Sequence, residues 1–407
     1  MLITEFSTKL SKCRDAKTLA DSTKINATTS RKLYLIYFQH FLNDLHVSFL
    51  QTFLPFLVEK LDITVAQAGI LTALPGLFDM LLQPFFGFVS DMTCRPYMIA
   101  WAPILTALGA SLIPSAPSYG TALILVSIWG LGNTIFHPQA HGSIGYIGTI
   151  EKMPLQLAFF SALGILGSSM SPLYATFLFK YCRHTPLNLF PVIPVTAMGI
   201  FFWTVIPYIR KTMEKDRQRS TNFLKNAIQV FSNIRSVWLV TFLRGITNQG
   251  VKFLFPLLVA SRGGGIEKIG FSLFLLQIAK VLAPLAAGRL AIRYHSKKVL
   301  FFTQGLSPLL MFPELFNDGW LPLISFLLGN AFLVSSSPLL VARAQKLAPT
   351  SKSVATSLIM GVAFGLSGLM MSIVGKIVDI RGLIPAFSII LLFPFFNSII
   401  IRFKWDK

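Results

Sequence analysis

Read for hydrophobic and polar positions, the chain alternates long apolar runs with short polar breaks from Tyr34 to Arg402. Twelve runs stand out, at 34–58, 66–89, 97–114, 119–138, 155–179, 188–209, 236–260, 269–290, 298–316, 320–341, 353–378 and 383–402. At about 1.5 Å per residue, each is long enough to cross a hydrocarbon core about 30 Å thick. Lipid offers the backbone no hydrogen bonds, so such runs must be helices that satisfy their own peptide groups. The pattern predicts an all-α membrane protein with twelve transmembrane helices.

The pattern also repeats, at an offset of 201 residues. Gly69, Gly87 and Asp91 have the spacing of Gly270, Gly288 and Ile292. The run AxGxxGxxMS beginning at Ala162 recurs at Ala363, pairing Gly164 with Gly365, Gly167 with Gly368, Met170 with Met371 and Ser171 with Ser372. Two matches at one offset predict two pseudo-symmetric six-helix halves, 33–209 and 236–402. A polar, basic linker at 210–235 joins them, with an N-terminal arm at 1–32 and a tail at 403–407. In such a layout the substrate site is expected near the bilayer midplane, between the halves. The glycines have a simpler reading as well: small residues one turn apart let helices approach closely.

Composition agrees, with 53% hydrophobic and 13% charged residues and a mean hydropathy of +0.64. A net charge of +20 would suggest nucleic acid in a soluble protein, but the distribution changes that picture. Of 36 Lys and Arg, 26 flank one end of the spans, seven flank the other and three lie inside. That asymmetry is a topology signal, which puts both termini and the linker in the cytoplasm and removes the case for nucleic acid. Cys13, Cys94 and Cys182 fall on opposite sides of that topology, so no disulfide framework and no metal cluster is expected. The first 30 residues lack a long apolar core, so no cleaved signal peptide is expected, and Glu5, Asp15 and Asp21 argue against a transit peptide. No P-loop, HExxH or nucleophile elbow appears, so neither an enzyme, nor ATP driving, nor a cofactor is expected.

The run GFVSDMTCRP (Gly87 to Pro96) between the second and third spans, the doubled halves and the basic linker resemble the major facilitator superfamily over nearly the whole chain. HFLND (His40 to Asp44), LLQP (Leu81 to Pro84), FHP (Phe136 to Pro138) and GILGSSMSP (Gly164 to Pro172) look more narrowly like its fosmidomycin-resistance-type branch. MGVAFGLSG (Met360 to Gly368) and GKIVD (Gly375 to Asp379) fit as well. The resemblance implies a conformational latch at Gly87, Asp91 and Arg95. The chain departs from the family pattern there: Met92 follows Asp91, Arg95 stands nearly alone, and Ile292 occupies the acidic position in the second half.

Polar groups inside spans are costly, about 2.5–3.5 kcal/mol for a central charge on insertion scales, so they face a partner or a wet cavity. On the first span His40, Asn43 and Asp44 share one helical face, with Gln51 further along it. Asp79 and Gln83 mark the second span, and Asn133 and His137 the fourth. In the other half the sign reverses: Arg244, Asn248 and Lys252 recur every four residues on the seventh span, and Gln277 and Lys280 lie on the eighth. Asp79 and Lys280 correspond at the offset of 201, so an acidic wall is expected to look across at a basic one. A structural ion pair is the plain alternative for those two. Gln39 and His46 lie off the stripe and read as interhelical hydrogen bonders, while Arg343 and Lys376 read as snorkelling side chains near span ends.

In a low-dielectric cavity a carboxylate holds its proton more tightly than in water, and a neighbouring histidine trades protons near neutral pH. Asp44, His40, Asp79 and His137 are therefore the proton-coupling candidates. Arg244, Asn248, Lys252, Lys280, Gln277 and Asn133 are the substrate-binding candidates, and the basic stripe favours an anionic or zwitterionic solute. The expected activity is proton-coupled efflux of a small anionic or amphiphilic compound by a monomer in a bacterial inner membrane. Movement of a metabolite or siderophore in either direction is the alternative within the class, because fold does not set cargo. A transport-dead membrane receptor is a third reading, against which the retained polar residues count.

Overall fold

The computed structural model describes residues 22–93, 95–147, 153–182, 189–206, 223–348, 355 and 358–404. The first part of the chain forms α1 (Ser22–Asp44), α2 (Phe49–Leu61), α3 (Val65–Met92), α4 (Tyr97–Leu112), α5 (Tyr119–Ile147), α6 (Met153–Cys182) and α7 (Val192–Val205). The second forms α8 (Phe223–Ser261), α9 (Ile266–Tyr294), α10 (Ser296–Met311), α11 (Pro313–Phe316), α12 (Trp320–Ser335), α13 (Ser337–Leu347), α14 (Ala363–Arg381) and α15 (Leu383–Lys404). A 3-10 turn at Ile113–Ser115 extends α4, and a π-helical turn at Leu358–Val362 leads into α14. No strand occurs among the described residues. Cys13, Cys94, the tail residues 405–407 and the side chain of Cys182 lie outside the description.

Nine of the expected spans are long and apolar enough to cross a membrane among the described residues. α7 is apolar but shorter, at 14 residues. α8 and α9 are 39 and 29 residues long. α8 carries the polar stripe Arg244, Asn248 and Lys252, and α9 carries Gln277.

Three expected spans arrive in pieces. The first is α1 and α2, separated by a turn at 45–48; the ninth is α10 and α11; the tenth bends between α12 and α13. Residues 223–235, expected in the linker, are instead the start of α8, while 210–222 lie outside the description. The reason is visible in Val230, Ile234 and Val237, which share one helical face and are buried in an apolar cluster with Leu300, Leu340 and Ile401.

The break in the first span is chemically complete. His46 and Val47 donate their amides to Asn43 and Asp44 carbonyls at 3.2 and 3.1 Å, an i to i−3 tightening, and His46 Nδ1 donates to the Leu42 carbonyl at 2.9 Å. The Ser48 amide donates to Ser171 Oγ of α6 at 2.9 Å. Three ladder amides are thus exchanged for local and side-chain partners, as lipid requires.

Helices of the first half meet those of the second along two seams, α3 on α14 and α6 on α9. Glycines from the repeat line both. A Cβ on Gly69 would collide with the Met371 carbonyl, one on Gly270 with the Thr176 side chain, and one on Gly375 with the Val65 and Ala66 backbone. Gly69 and Gly270 correspond at the offset of 201 and perform the same packing task. The largest apolar cluster spans both halves, from Phe49 and Phe53 of α2 to Phe253 and Phe255 of α8 and Met371 of α14.

Within the first half, Gly109 sets the approach of α4 to α5, since a Cβ there would stand 2.5 Å from the Trp129 nitrogen and 2.7 Å from the Leu125 carbonyl. Gly109→Ala is expected to cost about 1–3 kcal/mol by overpacking, read as a lower thermal unfolding midpoint in detergent. Gly120→Ala, where the nearest atom is Ser118 Oγ at 4.0 Å, should not lower it.

Candidate functional site

The break in the first span leaves Asp44 as the last residue of α1. Its carboxylate meets three of the expected residues. His40 Nε2 lies 3.2 Å from Oδ2, His137 Nε2 of α5 lies 3.9 Å from Oδ1, and Asn43 Nδ2 donates to Oδ1 at 3.0 Å. The Asn43 amide also donates to Asn133 Oδ1 at 3.1 Å, and its own oxygen accepts from Thr106 Oγ1 at 3.0 Å. Asp44 and His137 keep 14% and 22% of their side-chain surface accessible, so the cluster sits at the edge of the packed interior.

The His40 ring is fixed on three sides. It stacks on Phe160 at 3.8 Å between centroids, and Nδ1 donates to the Phe160 carbonyl at 2.9 Å. Its third neighbour is Gly164 of α6, where any Cβ would occupy the space of the ring. Because a carbonyl only accepts, Nδ1 carries a hydrogen, and Nε2 of the neutral ring presents a lone pair to Asp44. The ligand atoms of His40, Asp44 and His137 lie within 4.8 Å of one another, compact enough to share a single cation. His141 extends the cluster, its ring centroid 6.4 Å from that of His137.

Asp79 of α3 accepts from Thr134 Oγ1 of α5 at 2.6 Å. It lies one residue before Met80, which packs on Gly365 of α14, so it is close to the seam between the halves. The side chains of Lys280 and Asp91 lie outside the description, as does any meeting of Asp79 with Lys280.

The second half holds a different kind of site. Arg244 of α8 is 5% exposed, its Nη2 reaches Ser337 Oγ only at 3.4 Å, and its Nε has no acceptor among the described residues. It lines a cavity of about 140 Å³ with Thr241, Ser337, Leu340, Ile359, Met360 and Phe364. Two of these belong to the π-helical turn, whose changed register turns Ile359 and Met360 into the wall. Lys252 Nζ lies 5.8 Å from the centroid of the Phe364 ring. Asn248 is buried between them along α8. No ion pair joins the Asp44 cluster to Arg244 or Lys252 among the described residues. Gln277 crosses the seam instead, its Nε2 3.5 Å from Ser48 Oγ in the broken span.

At the expected latch, Gly87 is an ordinary helical position with Pro138 Cβ 4.0 Å from where a side chain would begin. Arg95 is exposed and lies 5.7 Å from the centroid of the Trp203 ring. The loop is held by Gln139, which sequence reading passed over. Its Oε1 accepts from the Met98 and Ile99 amides at 2.8 and 3.2 Å, and its Nε2 donates to Thr93 Oγ1 and the Arg95 carbonyl at 3.3 and 3.1 Å. Gln39 behaves as read, donating to the Ile99 carbonyl at 3.1 Å.

The other missed residue is Asp379. From the end of α14 it accepts from the Val65 and Ala66 amides at 2.8 and 2.9 Å, capping α3 of the opposite half with both oxygens. Thr64 and Gln67 complete the same helix start as a capping box. On that membrane face the second seam carries Lys180 of α6 and Glu267 of α9, 2.6 Å apart. GKIVD placed Asp379 in a motif, but only its contact across the seam gives it a task.

Ionisable groups held inside a lipid slab, beside seams between two repeats, are the working parts of a membrane transporter, and that is the class this fold and site define. The chain belongs to the Major Facilitator Superfamily, whose family model matches residues 36–372. It is similar to the Fosmidomycin resistance protein of Escherichia coli (strain K12), 23% identical over 366 residues, 88% of this chain and 89% of that protein. It is also similar to the Multidrug resistance protein MdtG of Proteus mirabilis (strain HI4320), 27% identical over 322 residues, 75% of this chain and 78% of the relative. Among solved structures, the nucleoside transporter NupG superposes with a TM-score of 0.75 at 13% identity, covering 92% of this chain and 99% of its own. A bacterial homolog of the human lysosomal transporter Spinster, inward-facing and unoccupied, gives 0.69 at 14% identity, covering 94% of this chain and 96% of its own. The protein is a transporter and not an enzyme.

Gln139 offers a direct test of the loop clamp. Each of its hydrogen bonds is worth about 1 kcal/mol net, roughly a fivefold change in a local opening constant. Gln139→Ala is therefore expected to speed amide hydrogen exchange at Met98 and Ile99 by at least that factor, with exchange at the α2 amides unchanged.

Proposed function

We propose that this transporter is a proton-coupled exporter of a small anionic or amphiphilic compound in a bacterial inner membrane, with both termini in the cytoplasm. The observation that carries the coupling is the contact of His40 Nε2 with Asp44 Oδ2 at 3.2 Å, made while Nδ1 is committed to a carbonyl. With no proton between them, a nitrogen lone pair faces a carboxylate and the contact is repulsive. With one proton it is a charge-assisted hydrogen bond. The pair is thereby a two-state element set by a single proton, and His137 stands where it can take or supply that proton.

The mechanical consequence follows from position. Asp44 ends α1, and the turn beginning at Leu45 leads directly to Ser48, which touches Ser171 of α6 and Gln277 of the other half. Loading or losing the proton alters the hold on the end of α1 and so the contacts of Ser48 across the seam. Rocking of the halves about the midplane then exposes the site alternately to each side, with the proton biasing the equilibrium by its differential affinity. Asp79, held by one threonine, is a second proton carrier in this scheme.

Asp379 is the closing contact of one membrane face. Two amide hydrogen bonds to a carboxylate at a helix N-terminus are favoured by both charge and dipole, and opening that face must break both. On the opposite side of the chemistry, Arg244 and Lys252 form a basic lining with no carboxylate paired to them among the described residues, which supports an anionic cargo. The basic excess at one end of the spans supports the orientation, and relatives named for drug resistance support export.

Everted membrane vesicles with and without a pH gradient, using fosmidomycin as the first probe, test the coupling. Asp44→Asn should lower gradient-driven accumulation at least tenfold while downhill exchange persists; gradient dependence unchanged from the parent would sink the proposal. Asp379→Ala should shift the conformational balance towards the state open on that face. The readout is increased labelling of a cysteine placed at Thr176 relative to the same cysteine with Asp379 intact.

A further inference from the structure

We infer that Arg244 is a two-pronged oxyanion fork, so that the cargo of the second-half cavity is an amphiphile carrying a carboxylate, phosphonate or similar planar pair of oxygens. This rests on the reading of the protein as an anion transporter and names the chemistry its cavity accepts. The argument begins from the guanidinium itself. Its five N–H donors are fixed in one plane, and Nε–H and one hydrogen of Nη2 point the same way from one edge. That edge is the one left open: Nε has no acceptor among the described residues, and Nη2 has only the 3.4 Å contact to Ser337 Oγ.

The burial makes an unpaired donor edge costly. At 5% exposure, the guanidinium has lost nearly all its access to bulk water, and an uncompensated buried charge is the least stable arrangement a protein holds. The partner that relieves it has to be negatively charged and to present two acceptors side by side. A single-point acceptor satisfies one prong and leaves the other bare. A carboxylate or phosphonate satisfies both at once, as bidentate pairs do elsewhere.

The remaining wall sets the rest of the molecule. Leu340, Ile359, Met360 and Phe364 supply apolar surface, and the Thr241 hydroxyl is already spent on the Val237 carbonyl at 2.8 Å. The cavity thus offers one charged edge, one weakly engaged hydroxyl at Ser337 and an otherwise greasy interior. At about 140 Å³ it admits a small ring or short chain behind the oxyanion. Met360 brings conformational adaptability to that wall. Lys252, its Nζ 5.8 Å from the centroid of the same Phe364 ring, adds positive potential beside the cavity, which draws anions to it without demanding a second contact. Phe364 is followed by Gly365, which packs on Gly76 and Met80 of α3, so the cavity wall is one residue from the moving seam. Occupancy is therefore felt where the halves meet.

Isothermal titration of the purified full chain in an uncharged detergent, with no pH gradient, tests this with benzoate and phenylphosphonate as probes and benzamide as their neutral counterpart. The two oxyanions should bind saturably and benzamide at least tenfold more weakly. Arg244→Lys keeps the charge and loses the fork, so it should weaken the oxyanions at least tenfold, as Arg244→Gln does. Met360→Trp fills the cavity with Arg244 intact and should abolish binding, whereas Thr204→Ala, at an exposed position of α7 that does not line the cavity, should leave it intact; these two keep the test usable if the arginine variants unfold. Binding by Arg244→Lys equal to the parent, or benzamide matching benzoate, overturns the fork. Displacement of benzoate by phosphatidylglycerol added to the micelles would identify the oxyanion as a lipid headgroup and overturn the assignment to a soluble cargo. Asp44→Asn should retain benzoate binding, so failure of proton coupling and failure of the fork are read separately.

Discussion

A hydrocarbon slab solvates neither a charge nor a peptide group, so every polar atom inside this bundle is either satisfied by the protein or left in deficit. Most are satisfied, and the manner of satisfaction builds the architecture. The turn at 45–48 survives in the membrane because His46 and Ser171 take over the groups that the helix ladder gives up. Asn43 is held at three points, by Asp44, Asn133 and Thr106, and so locks the first, third and fourth spans around one carboxylate. Against that background Arg244 is conspicuous, a buried cation whose best donor edge is unfilled.

The same constraint explains the uneven treatment of the two halves. Gly69 and Gly270, at the same register of the repeat, each bring helices together across a seam, so the packing matches there where only shape matters. Where charge matters, the symmetry is abandoned. The α3–α14 seam closes with a carboxylate on two amides, and the corresponding α6–α9 seam closes with an exposed lysine and glutamate. Both contacts are exposed, where pairs of this kind contribute only about 0–1 kcal/mol each. A transporter needs a closure strong enough to seal and weak enough to open, and two hydrogen bonds to one side chain meet both demands.

The acid and base linings were expected to look across at one another. Among the described residues no ion pair joins Asp44 to Arg244 or Lys252, and each lining has its own local chemistry: histidines and an asparagine around Asp44, hydroxyl and apolar groups around Arg244. An acid and a base in direct contact would neutralise each other and leave nothing for a proton or a cargo to change.

By itself the sequence determined the class and its helical spans, because apolar run length follows from lipid thickness and needs no distant partner. It also marked His40, Asn43 and Asp44 as one set, since residues on one turn of helix stay together wherever that helix goes. What it left undecided depends on groups far apart along the chain. Asp379 meets Val65 and Ala66 only once the halves fold against each other; Gln139 looks like any polar residue at a span end until it is seen around the 93–99 loop; and the room for His40 is made by Gly164, more than a hundred positions away. The π-helical turn that shapes the Arg244 cavity has no signature in apolar periodicity either, because it shifts register over only Leu358–Val362. Local pattern records what a residue prefers, and tertiary packing alone decides what it touches.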